Sequence, residues 1–301
     1  MTEDIQAEAG DLTAVAPASE AQNPADGAPL RRIVLVIEYD GRNWQGYQTQ
    51  PHHNTVQDQL EDALFTFSTR RLQTTCAGRT DAGVHALAQV VHFDTDLQRS
   101  MYSWVNGVNA FLPGSIAVRW ACEVPRQLPD GREFHSRFVA TSRTYHYVLY
   151  NNKVRSPLLA GRAGWVFRPL DLQRMRDAAS CLLGTHDFSA FRAAGCQAKT
   201  PVKEMHAVQI EQHGDLFIFT LRASAFLHHM VRNIVGSLIY VGTGAKPVAW
   251  MEQILRGRDR SRAAPTFMPD GLYLAAIAYD PVWQLPMHDF APLPFLLQGE
   301  K

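Results

Sequence analysis

Twice along its length this chain runs through a similar alternation of short strand-like and helix-like segments, and that alternation limits the folds open to it. The first pass opens on RRIVLVIEYDG (Arg31–Gly41), an apolar run closing on an Asp-Gly turn, which reads as a buried strand. TVQDQLEDALFTF (Thr55–Phe67) spaces its apolar residues as a helix does, with Thr55 as N-cap and Asp58 where a capping box would carry Glu. HALAQVVHFD (His85–Asp94) predicts a strand, SMYSWVNGVNAFL (Ser100–Leu112) a helix, and SIAVRWACEV (Ser115–Val124) a strand. The second pass begins at SRTYHYVLYN (Ser142–Asn151), a tyrosine-rich strand of period two. DLQRMRDAASCLLG (Asp171–Gly184) reads as an amphipathic helix ending at a glycine. MHAVQIEQHGDLFIFTLRAS (Met205–Ser224) reads as a hairpin turning near His213-Gly214-Asp215. FLHHMVRNIVGSLIYVGTG (Phe226–Gly244) predicts a largely apolar helix, WMEQILRG (Trp250–Gly257) a shorter one, and GLYLAAIAY (Gly271–Tyr279) a last strand. From Pro281 the chain has several prolines and no period, and reads as coil. This order fits an α+β fold with antiparallel sheets better than a doubly wound parallel sheet. It divides the chain into a tail (1–30), an N-terminal α/β domain (31–135), a C-terminal α/β domain (136–281) and a terminal segment (282–301). No internal sequence repeat is strong enough to establish duplication.

Charge adds a constraint that the whole-chain figure hides. Lys plus Arg and Asp plus Glu tie at 29 each. Residues 1–30 hold six of the acids (Glu3, Asp4, Glu8, Asp11, Glu20, Asp26) and no Lys or Arg, which leaves the body 29 basic against 23 acidic side chains. That surplus suits a nucleic-acid ligand. The first 30 residues are rich in Ala, Glu, Asp and Pro and read as a disordered acidic tail. They lack the basic start and apolar core of a signal peptide. No run approaches the roughly 18 apolar residues of a membrane span. Cys76, Cys122, Cys181 and Cys196 form no CxxC pair, and with no export signal they read as reduced thiols of a cytoplasmic protein.

The densest stretch is CAGRTDAGVHALAQVVHF (Cys76–Phe93), which sets a carboxylate on a glycine-rich turn two residues after a guanidinium and just before a strand. Four readings compete. The turn could carry a solvated surface pair, Arg79 and Asp81. It could be a phosphate loop, but Val84-His85 stand where Lys-Ser/Thr is required. It could be half of an aspartic-protease dyad, but no second Asp-(Thr/Ser)-Gly occurs. It could hold a single nucleophilic or basic aspartate beside a cation.

GRTDAGVHALAQVVHF resembles the signature of the TruA family of tRNA pseudouridine synthases. EYDGRNWQGYQTQP (Glu38–Pro51) resembles that family's first block, and FHSRFVATSRTYHYVLYN (Phe134–Asn151) its central one. GTHDFSAFRAAGCQAKTPVKEM (Gly184–Met205), FLHHMVRNIVGSL (Phe226–Leu238) and GLYLAAIAY resemble the rest. The blocks keep the family's order from about Arg31 to Asp280. Tyr47 stands where a tryptophan is common and Lys199 where an arginine is common, and the loop AAPTFMPDG (Ala263–Gly271) is looser than the usual Ala-Pro-Pro pattern.

The resemblance implies two α/β-type domains with antiparallel sheets joined around a positively charged RNA-binding cleft, the pseudouridine synthase fold. It implies isomerisation of uridine at positions 38, 39 and 40 in the tRNA anticodon stem-loop, by a homodimer. Asp81 is then the nucleophile, since a turn lets a carboxylate point into a cleft and a nearby guanidinium favours a carboxylate's charged form. Arg232 is the implied partner; read alone it is an ordinary helix arginine, although Met230, Val231, Ile234 and Val235 give it an apolar setting. Arg79 is implied to hold the target nucleotide out of the stack, and an ordinary phosphate contact stands beside that reading. Tyr145 matches the family's active-site tyrosine, for stacking on uracil and for proton transfer. Tyr147, at period two on the same strand face, is its natural control. Leu274 reads as a wall of the uracil pocket or as core packing. His228 and His229, adjacent on a predicted helix, point in different directions and form no metal pair; they and His85 and His92 read as structural or RNA-contacting. The reaction needs no cofactor and no metal in principle. Two other classes stay open: a non-catalytic RNA-binding module on the same scaffold, and a carboxylate hydrolase.

Overall fold

The computed structural model describes residues 29–285. The acidic stretch 1–28 and the chain from 286 lie outside the described residues. The first half contributes β1 (Arg31–Tyr39), a short β2 (Thr75–Cys76), β3 (His85–Thr95) and β4 (Ile116–Val124). The second contributes β5 (Ala140–Asn151), β6 (Gly164–Val166), β7 (Gly184–Asp187), β8 (Val202–His213) and β9 (Leu216–Ala223), and β10 (Leu272–Tyr279) comes last. All ten join one mostly antiparallel sheet in the order β4-β1-β3-β10-β5-β9-β8-β7, with β2 on β3 and β6 on β5. The boundary expected near residue 135 falls in the connection between β4 and β5.

The two halves meet through the last strand. β10 runs antiparallel to β5 along Leu272–Tyr279 but pairs with β3 only at Tyr273–His85 and Leu274–Ala86, and there in parallel. Two groups of helices cover one face of the sheet. α1 (Val56–Ser68) and α2 (Met101–Asn109) bury Leu60, Leu64 and Trp104 on Ile33, Leu35 and Ile37. α3 (Leu172–Ala179), α4 (Met230–Gly242) and α5 (Trp250–Gly257) pack on Tyr147, Leu149, Phe217 and Phe219. Tyr145 packs against both cores, so a gap between the helix groups opens above it. The alternate residues Val34 and Val36 face the opposite side, against Phe134 and Trp283. This is the alternation a strand covered on both faces requires.

Several local expectations hold in atomic detail. The Thr55 side chain accepts the backbone N–H of Asp58 as N-cap of α1, and Ser100 caps α2 in the same way. Three expectations need correction. α3 ends at Ala179 and passes into a 3₁₀ turn, Ser180–Leu182; the Ser180 and Cys181 side chains bond back to carbonyls of its last turn. Gly184, read as the helix end, instead opens β7 with φ +91°. α4 begins at Met230, not at Phe226, because His229 takes a left-handed conformation (φ 61°) that no helix can pass through. The chain past Asp280 is not coil at its start: Pro281–Trp283 form a 3₁₀ turn capped by Asp280, and Trp283 is buried 5.3 Å from the Phe134 ring.

Candidate active site

The turn between β2 and β3 is built by its neighbours. Tyr47 N–H donates to Thr80 O at 3.0 Å, and Gly83 N–H to Trp44 O at 3.3 Å. Tyr39 OH and Thr80 Oγ1 share a hydrogen bond of 2.7 Å. The connection from β1 to α1 therefore clamps the turn, which gives the EYDGRNWQGYQTQP block a structural task. The approach is close: a Cβ on Gly41 would lie 2.0 Å from Val84 O. From the other side the buried Gln89 side chain bonds both N–H and C=O of Gly78. The buried Arg143 guanidinium donates to the carbonyls of Ala77, Ala140 and Ser224. Asp81 thus sits on a turn fixed from both sides, its own C=O accepting Val84 N–H at 3.1 Å.

Asp81 faces a cavity of about 760 Å³ between the two helix groups. Arg79, Arg137, Arg143 and Arg232 line it, and Asp81 is the one carboxylate among the described lining residues. Four guanidinium groups around one carboxylate leave the cleft with a positive balance. Arg232, 151 residues further along the chain, donates from Nη1 to Asp81 Oδ2 at 3.0 Å. Its Nε donates to Phe267 O at 2.8 Å, so one planar guanidinium is anchored at one edge and presents the other to the acid. The side chains of Arg232 and Asp81 are 13% and 25% exposed. The AAPTFMPDG loop, which departs from the family pattern, supplies the Phe267 carbonyl. The departure therefore lies directly behind the Asp81 pair, but the contact is made by backbone and does not depend on the side chain.

Tyr145 lines the same cavity, near Gly78, where an added Cβ would lie 3.9 Å from its hydroxyl. Burial, and then the charge of Asp81, hold its phenol well above the ordinary range, so it stays protonated at neutral pH. Tyr147, on the same strand face, is fully buried beneath the 263–271 loop and donates to Met268 O at 2.9 Å. Arg79 lines the cleft and reaches Gln197 Oε1 at 3.4 Å in an exposed contact. Leu274 is fully buried in the N-terminal core, in register opposite Tyr145; Leu272, two residues earlier, is the β10 residue that lines the cleft.

The histidine pair is the main correction to the sequence reading. His228 Nε2 lies 3.3 Å from Asp81 Oδ1, and His229 Nε2 lies 3.3 Å from Asp81 Oδ2. Their ring centroids are 3.9 Å apart. Adjacent residues diverge on a helix, but the left-handed turn at His229 keeps both off α4 and lets the rings converge. Asp81, His228 and His229 bring their possible ligand atoms within 4.8 Å of one another, a set able to hold a metal ion, although a guanidinium already stands at Oδ2. No spacing rule would have found this pair, since the signal is a backbone conformation.

His85 and His92, read as structural or RNA-contacting, are both buried and hydrogen-bonded within the protein. Nδ1 of the buried His85 accepts Gly41 N–H at 3.1 Å, and its Nε2 bonds Gly161 O at 2.9 Å. His92 Nδ1 lies 3.0 Å from Ser136 Oγ, and burial pushes its imidazole down to about 4, helped by the Arg32 charge. All four cysteines are free. No helix among the described residues is long and apolar enough to cross a membrane.

A family model described as tRNA pseudouridine synthase matches residues 35–138 and 178–280. A tRNA pseudouridine synthase A of Herminiimonas arsenicoxydans is 65% identical over 261 residues, covering 87% of this chain and 94% of the relative. A protein of the same name from Janthinobacterium sp. (strain Marseille) is 66% identical over 256 residues, covering 85% and 94%. One from Bordetella petrii is 59% identical over 258 residues, again covering 85% and 94%.

Proposed function

The chain belongs to the tRNA pseudouridine synthase family, and on that premise we propose that it isomerises uridine to pseudouridine in tRNA with Asp81 as nucleophile. One observation carries the reading: a single carboxylate, paired with Arg232 at 3.0 Å, in an arginine-lined cleft. The reaction breaks the N1–C1′ bond, turns the uracil and rejoins it through C5. It moves bonds within one nucleotide, so it needs no external electron donor or acceptor.

In this reading Asp81 attacks the ribose C1′ and holds the sugar while the base turns. Arg232 orients the carboxylate and receives it again when it leaves. Tyr145 offers an aromatic face to the uracil and a protonated hydroxyl for hydrogen bonding; Leu274, in register with it, backs that ring from the core. Arg79 contacts the RNA at the mouth of the cleft, filling the place of the displaced nucleotide or bonding a phosphate. The targets are uridines 38, 39 and 40 of the anticodon stem-loop, where RNA can present unstacked bases. The enzyme acts in the cytoplasm as a homodimer; Val154, Leu158 and Phe167, exposed on the connections around β6, offer apolar surface for such a contact. The two domains of this reading are 31–135 and 136–281, with the cleft between them.

The non-catalytic alternative has no use for a carboxylate anchored by a guanidinium that is itself anchored. Release of tritium from tRNA carrying [5-³H]uridine, with mapping of the modified positions, tests the proposal. Pseudouridine at 38–40 is expected. Tight tRNA binding without tritium release would leave an RNA-binding module instead.

A further inference from the structure

The carboxylate of Asp81 is held unsymmetrically. Arg232 Nη1 and His229 Nε2 both stand at Oδ2, at 3.0 and 3.3 Å. Oδ1 faces His228 Nε2 at 3.3 Å, on a side chain that is 44% exposed. An oxygen engaged by a guanidinium has fewer lone pairs to offer, so Oδ1 is the oxygen placed to attack a sugar carbon. Whatever Oδ1 bonds to comes up against His228.

The isomerisation requires a group in that position. Its product has one hydrogen fewer on C5 and one more on N1. Once C5 has bonded to C1′ and the Asp81 carboxylate has left, C5 is tetrahedral and still carries its proton. Loss of that proton lets the C–H electron pair close the C5–C6 double bond. The C6–N1 π pair returns to N1, which takes up a proton. The phenol of Tyr145 is protonated at neutral pH and so has no free basic site. Asp81 at that stage is returning to Arg232. An imidazole can accept a proton and donate one in the same turnover.

Resting on the reading of Asp81 as nucleophile, we propose that His228 is a further catalytic residue, the carrier that takes the proton from C5 and returns it to N1. His229 is its positioning partner, holding Oδ2 on the guanidinium side. The ring of His228 is placed by two backbone features: its own N–H donates to Cys196 Sγ at 3.3 Å, and His229 takes the left-handed turn. The groups facing the pair are Asp81 from the turn before β3, Arg232 from α4, Cys196 from the loop after β7, and Arg260 from the segment after α5. Burial holds His229 below the ordinary imidazole value against the pull of Asp81, with the charges of His228, Arg232 and Arg260 adding to the effect.

The test is single-turnover kinetics on tRNA transcripts carrying [5-³H] or [5-²H]uridine, with wild type, His228→Gln, His228→Ala and Asp81→Asn. Glutamine keeps a polar side chain of similar reach and cannot titrate. Tritium release by His228→Gln is expected to fall roughly 10²–10³-fold, within the range for a positioned acid–base group, with tRNA affinity unchanged. The deuterium isotope effect at C5 should exceed that of wild type, and added imidazole should partly restore His228→Ala. A His228→Gln enzyme with wild-type rate and isotope effect overturns the proposal. So does a rate loss with no added isotope effect and no imidazole rescue. If wild type and Asp81→Asn behave as the nucleophile reading demands while His228→Gln is unaffected, the carrier alone fails. If wild type releases no tritium, both fail.

Discussion

Replacing Arg232 by lysine keeps the charge and removes the shape. In the structure one guanidinium spans Phe267 O at 2.8 Å and Asp81 Oδ2 at 3.0 Å. A lysine ammonium can meet one of these partners in good geometry, so one charge-assisted hydrogen bond is lost, worth about 1.5–3 kcal/mol. Asp81 is 25% exposed and keeps two imidazole contacts, which favours the lower part of that range. A loss of about 2 kcal/mol in the transition state corresponds to about a 30-fold slower chemical step. The same loss in the ground state lowers Tm by roughly 3–4 °C for a protein of this size. The assay is single-turnover product formation with saturating enzyme, beside thermal melts and filter binding of tRNA. A lysine variant with wild-type rate, or a deficit confined to tRNA affinity, would refute the argument that Arg232 acts by orienting Asp81.

The remaining predictions address the scaffold and the second site residue. Tyr145→Phe keeps the aromatic face and removes one hydrogen bond, so product formation should slow by about 3–10-fold. Tyr147→Phe, which frees only the Met268 carbonyl, should cost about 1 kcal/mol of stability in urea melts with a near-normal rate. Equal rate effects at both positions would remove the special role of Tyr145. Gly41→Ala sets a Cβ 2.0 Å from Val84 O, where only backbone can yield, so it should destabilise by about 1–3 kcal/mol. Because the displaced turn carries Asp81, turnover should fall far more than the melt implies, and a purely thermal effect would contradict the clamp. His92 is held neutral down to about 4, below its unfolded value of roughly 6.5. The unfolded chain therefore takes up that proton first, and stability present above pH 6.5 is lost as pH falls toward 4. His92→Gln should flatten urea-melt stability across that window, and an unchanged pH dependence would show that another group sets it.

What the sequence disclosed follows how local each signal is. Thr55 ahead of α1, the Gly214-Asp215 hairpin and the apolar run of β1 are decided by a few neighbouring residues, and the structure has them where the pattern puts them. The joining of the halves was not legible, because β10 contacts β3 through two residue pairs nearly 190 positions apart. The pairing of Asp81 with Arg232 across 151 residues came from resemblance, not from spacing. The convergence of His228 and His229 was lost because a helix was assumed through them; one φ of 61° decides it. Leu274 and Leu272 show the limit of period-two reasoning. Both point to the helix-covered face, and only the position of the gap decides which one meets the cleft.

The most direct test of the central claim is tritium release from [5-³H]uridine tRNA by Asp81→Asn under single-turnover conditions, with tRNA binding measured on the same preparation. An amide keeps the shape of the side chain and is a very poor nucleophile and base. The account predicts tRNA binding close to wild type and no detectable release. Substantial turnover by a sequence-verified Asp81→Asn protein would contradict it.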